Sequence, residues 1–185
     1  MKIFKGLLFI TILTALLVGC SEDSATSNSD KVFKIDGAFG LKLGDQGPGL
    51  PNGYLADNKP FYFKPDTVHE YFNSYTFSVT PNTHAIYGVK MLSPKELPKA
   101  ICKDQRKEII KEILASLGDT SNLRITENGN LWKIREENKR SITVDCELAL
   151  STTTRQLVMT VSDTALSKLS YVEWAKHQDD ITTSQ

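Results

Sequence analysis

The strongest pattern in the chain is a period of two from Ile142 to Leu150, with Ile142, Val144, Cys146, Leu148 and Leu150 on one side and Thr143, Asp145, Glu147 and Ala149 on the other. That spacing predicts a half-buried strand. Leu157, Met159 and Val161 repeat it after a Thr-rich turn. Upstream, Tyr71, Tyr75, Phe77 and Val79 share one side of a predicted strand, Thr80-Pro81-Asn82-Thr83 makes a turn, and Ala85 to Leu92 returns. Phe61 to Phe63 reads as a short aromatic strand, and Val32 to Leu43 as one or two more. Leu123 to Glu127 and Leu131 to Arg135 flank Asn128-Gly129, a hairpin signal. Residues 44–60 are rich in Gly and Pro and read as loop.

The period lengthens to that of a helix twice. Ser93-Pro94-Lys95-Glu96 has the residues of a capping box with Pro at the first helical position. Pro98 interrupts, so the main helix is predicted from about Lys99, with Ile101, Cys102, Ile109, Ile110, Ile113, Leu114 and Leu117 inward and Gly118 as its stop. Ser162-Asp163-Thr164 opens a last helix that holds Leu166, Leu169, Val172 and Trp174. Strands closed by helices predict an α+β fold of antiparallel sheet and two main helices, in which strands-then-helix occurs twice, as in two diverged halves.

The N-terminus follows neither period. Lys2 and Lys5 precede an apolar run from Gly6 to Val18. As a helix this run reaches about 20 Å, short of the roughly 30 Å hydrocarbon core, so a cleaved leader fits better than a permanent span. Leu17-Val18-Gly19-Cys20 closes it. These four residues resemble the lipobox of bacterial lipoproteins. The resemblance implies that residues 1–19 are removed and that Cys20 begins the mature chain with a diacylglyceryl group, usually joined by an N-acyl chain. Several acyl chains give stable anchoring where one is marginal. Ser21, in place of the Asp that the family uses for inner-membrane retention, implies the outer membrane, with the periplasmic face expected. Glu22 and Asp23 also resemble surface-export signals of some lipoproteins. Residues 20–32 then form the lipidated cysteine and a polar tether, residues 33–178 one α+β domain, and residues 179–185 a polar tail.

Composition changes once the leader is set aside. The whole chain has 22 basic and 22 acidic residues, and loss of Lys2 and Lys5 leaves it slightly acidic. This excludes nucleic-acid binding driven by phosphate attraction. With Cys20 assigned to lipid, Cys102 and Cys146 remain. In an oxidising envelope, an even remainder on two inward-facing patterns points to a disulfide, with two buried free thiols as the alternative. Phe39-Gly40-Leu41-Lys42-Leu43-Gly44 is similar to the opening of a group of uncharacterised bacterial envelope proteins. In that group a similar strand precedes an aromatic hairpin and a paired cysteine framework, in a layout matching residues 38 to 175.

Chemistry is sparse. Aromatic residues concentrate between Phe61 and Phe77, mostly on one parity, as in strand core. Tyr62 and Phe72 fall off that parity and are the candidates for contact with a sugar or a partner peptide. His69-Glu70 with Asp66 and His84 offers the residue types of an acid–base or metal site, but without metal-ligand spacing the histidines read as solvated loop residues. Lys99, Lys103, Lys107 and Lys111 interleave with Asp104, Glu108 and Glu112, a compensated helix face. No nucleophile elbow, phosphate loop or dinucleotide fingerprint occurs, and no cofactor or metal is expected. The expected function is therefore that of a lipid-anchored envelope protein. Its domain binds or scaffolds an envelope protein or glycan. The alternative is an envelope hydrolase using His69, Glu70 and Asp66.

Overall fold

The period-two segments pair into one antiparallel sheet, closed on its apolar side by a helix. A computed structural model describes residues 35–50, 59–137, 139–149 and 152–183, with no side chains beyond residue 179. The leader, Cys20, the tether and Leu150 lie outside the described residues. The described residues belong to one unit, which spans Val32–Gln185.

The first described element is a small hairpin, β1 (Gly37–Ala38) and β2 (Leu41–Lys42). Then come β3 (Phe61–Tyr62), β4 (Ser74–Val79), β5 (Ile86–Leu92) and β6 (Leu97–Pro98), followed by α1 (Lys99–Leu117). The second run is β7 (Arg124–Asn128), β8 (Leu131–Arg135), β9 (Arg140–Leu148), β10 (Thr154–Asp163) and α2 (Thr164–Thr183). Strands-then-helix thus occurs twice in order, yet both runs enter one sheet, β3-β4-β5-β10-β9-β8-β7, with β6 also on β10. β10 joins them by inserting between β5 and β9.

Register explains the core. Met91, Met159, Val144 and Trp132 form one row across four strands, and Val89, Val161, Ile142 and Ile134 the next. All eight are buried. α1 lies over β9 and β10, placing Cys102, Ile109, Ile113 and Leu117 on these rows. Cys102 is bonded to Cys146 of β9, with the Cα atoms 6.0 Å apart. The opposite sheet face carries Thr76, Lys90, Thr160, Thr143 and Lys133 in register.

Several expectations need correction. Ser93 caps no helix, and α1 starts after Pro98 without a side-chain cap. The buried Ser93 hydroxyl instead accepts from Leu157 N–H at 2.9 Å, and Ser93 N–H donates to Leu157 O, so the chain stays beside β10 until β6 pairs with it at Thr154 and Arg155. Ile101 is exposed and its place on the inner helix face is taken by Arg106. The β7–β8 turn is centred one residue later than expected, because Asn128 pairs with Leu131 and Gly129 takes φ +60°. Leu148 is exposed at the end of β9, and Tyr71 lies in a turn before β4. On α2, Leu169 and Val172 face outward while Leu166 and Trp174 are half-buried. Asp163 does cap this helix, accepting from Ala165 and Leu166 N–H at 2.9 and 3.1 Å. α2 runs past residue 178 to Thr183, so most of the expected polar tail is helical.

Candidate functional site

Two concave regions contain residues singled out from the sequence. The first lies between the β1–β2 turn, the β3–β4 loop and α1. The two-residue turn Phe39-Gly40 has positive φ at both positions, +52° and +83°, which suits the hairpin twist but strains the non-glycine Phe39. The Phe39 ring packs edge-on against Tyr75 at 5.1 Å and borders two cavities. One, of about 420 Å³, is lined by Phe39, Gly40, Asp66, Thr67, Val68 and His69. The other, of about 230 Å³, reaches Phe72, Ile109, Glu112 and Met159.

His69 is common to both cavities and is half-buried. Its Nε2 lies 3.0 Å from Glu112 Oε2, and its Nδ1 accepts from Tyr71 N–H at 3.2 Å. An accepting Nδ1 places the single proton of a neutral ring on Nε2, donated to Glu112. Both ring nitrogens are therefore occupied, which leaves none to deprotonate a nucleophile. Ser116, also at the cavity, donates to Ile113 O at 2.8 Å. Asp66 shares the larger cavity, whereas exposed Glu70 is not part of either lining. The neighbouring Tyr71 phenol is pushed above the ordinary tyrosine range, first by desolvation and then by Glu70, Glu108 and Glu112.

The structure thus joins His69 to Glu112, a partner 43 residues away, and only loosely to the expected Asp66. His84 is buried, which corrects its reading as a solvated residue. It sits at φ +54° in the β4–β5 turn, where its carbonyl accepts from Gly47 N–H at 2.9 Å. His177 lies half-buried beside Trp174 on α2. Among the described residues, no group of three or more His, Cys, Asp and Glu side chains is placed to hold a metal ion.

The second region is aromatic. Phe61 stacks on Phe77 at 5.4 Å, and Phe63 meets Tyr75 and Phe77 edge-on at 6.0 and 5.9 Å. Beside them, Pro48, Gly49, Leu50, Phe61, Tyr62 and Phe63 border an open cleft of about 510 Å³. Tyr62 is 80% exposed, but Phe72 is 3% exposed, wedged near His69 and Tyr75. Phe72 is thus core and is removed as a partner-contact candidate. It sits off the strand pattern because it belongs to the loop before β4, where its N–H donates to His69 O.

No family model, curated protein or solved structure matches this chain.

Proposed function

We propose that this chain is a lipid-anchored bacterial envelope protein whose α+β domain binds or scaffolds a protein or glycan partner without catalysing a reaction. The observation that carries the anchor is the sequence Leu17-Val18-Gly19-Cys20 behind a basic and apolar leader. The anchored end faces the periplasm from the outer membrane, since Ser21 is not the retention Asp. A disulfide between Cys102 and Cys146 suits that oxidising compartment. Among the described residues, no helix is long and apolar enough to cross a membrane.

The binding half of the reading is supported by Tyr62 at the aromatic cleft. An exposed phenol over apolar ring surface offers both a stacking plane and a hydrogen-bonding edge to a sugar or an extended peptide. The hydrolase alternative has less support, because His69 has both nitrogens engaged.

Metabolic labelling with an alkyne fatty acid, followed by membrane fractionation of expressing bacteria, tests the anchor. The expected result is a labelled, membrane-bound chain and an unlabelled, released Cys20→Ala variant. A Cys20→Ala chain that stays on the membrane contradicts it.

A further inference from the structure

The five arginines of the chain divide into two groups. Arg106 is paired with Glu127 and the carbonyl of Gly129. Arg140 binds Asp163 and Asp36, and Arg155 donates to Thr152 and Thr154 carbonyls. Arg124 and Arg135 differ. They stand directly opposite each other in the β7–β8 register, on the sheet face away from α1. Among the described residues, neither guanidinium has a hydrogen bond or ion pair partner, although like charges facing across a strand pair are destabilising.

Both arginines line a polar cavity of about 360 Å³ with Ser121, Asn122, Leu123 and Glu137. The loop that forms its wall is fixed. Ser121 N–H donates to Asp119 Oδ1 at 2.9 Å, and Leu123 N–H donates to Thr120 O at 2.9 Å. The charge extends along the sheet, because Lys133 lies two residues from Arg135 on the same face. Ser141 is directly across from Arg135 on β9, with its hydroxyl 3.2 Å from that of Ser162. Two guanidinium forks and the Ser121 hydroxyl at one cavity, with the Lys133 ammonium on the same sheet face, match a tetrahedral oxyanion better than a single planar carboxylate. Exposed Glu137 in the lining offers an acceptor to a hydroxyl or ammonium attached to that anion.

We propose that Arg124 and Arg135 form a binding site for a phosphate group, carried either by a soluble ligand or by a lipid headgroup. The site is independent of the anchor at Cys20 and of the aromatic cleft.

Calorimetric titration of the full chain in detergent, with inorganic phosphate and with phosphatidic acid or phosphatidylcholine micelles, tests it. Binding of phosphate, weakened about tenfold or more in Arg124→Gln and Arg135→Gln and weakened by salt, supports the site. Binding of phosphatidic acid alone with the same sensitivity supports the lipid source, and binding of both supports a soluble ligand. No binding of either, binding unchanged in both variants, or tighter binding of acetate than of phosphate overturns it. Each variant is expected to melt at the wild-type temperature or above it, since the substitution removes a repulsion. A lower melting temperature in both variants shows a structural role and overturns the site as well.

Discussion

Cys102 on α1 and Cys146 on β9 are joined across the buried interface between helix and sheet, closing a loop over a sequence separation of 44. Everything between them, including the whole β7–β8 hairpin, is contained in that loop. The bond thus ties the second run of strands to the helix that ends the first run and lies over β9 and β10. Loop-closure entropy for such a length is about 4 kcal/mol, and measured values range below it. Cys102→Ser with Cys146→Ser is expected to lower unfolding free energy by about 2–4 kcal/mol in denaturant titration. Reducing agent should lower the wild type by a similar amount and leave the double variant unmoved.

Arg140 gathers the start of the domain. Its Nε donates to Asp163 Oδ2 at 3.1 Å, while its terminal nitrogens donate to Asp36, Ile35 O and Leu43 O at 3.0–3.1 Å. One side chain thus links β9, the cap of α2 and both ends of the β1–β2 hairpin. Arg140→Ala is expected to cost about 2–3 kcal/mol, the scale of several charge-assisted bonds lost together. Hydrogen exchange should show residues 35–43 opening first, with β4, β5 and β10 still protected.

Tyr62 and Phe72 predict opposite outcomes. Tyr62→Ala should stay within about 0.5 kcal/mol of wild type, because its ring is exposed. Phe72→Ala should cost about 3–5 kcal/mol, because its ring fills core beside Tyr75 and Ile109. Equal losses in thermal denaturation would contradict the placement of these two rings.

Tyr71 gives a pH dependence. Desolvation, then Glu70, Glu108 and Glu112, raise its folded-state pKa, so the folded chain holds the phenolic proton more tightly than the unfolded one. Its contribution to stability is therefore complete below the unfolded value near 10 and is lost as pH rises through the folded one. In absorbance titration at alkaline pH, the transition missing from Tyr71→Phe should lie above the ordinary tyrosine range. A missing transition at or below that range contradicts the environment described.

The sheet was legible because most of its apolar side chains lie on one face. Ile142, Val144 and Cys146 keep one parity through β9, and the partners of that row keep theirs. Cys102 and Cys146 were legible for the same reason, since both sit on apolar periods. What escaped was set by distant contacts. Arg106 falls on the inward face of α1 with Cys102 and Ile109, but its partner Glu127 comes from the β7–β8 hairpin, 21 residues away. Ser93 has the local chemistry of a cap, but the Leu157 backbone offers it a buried partner 64 residues away. His69 stands out in the sequence beside Glu70 and near Asp66, but the carboxylate that reaches it is Glu112, supplied by α1. The facing of Arg124 and Arg135 depends on the hairpin register, which a one-residue shift of the turn alters.

Whether Cys20 carries lipid is read by mass spectrometry of the full chain purified from bacterial membranes. The expected N-terminal peptide begins at Cys20 and exceeds its amino-acid mass by a diacylglyceryl group and an acyl chain. An N-terminal peptide that retains residues upstream of Cys20, or one that begins at Cys20 with a free thiol, would contradict lipidation of Cys20.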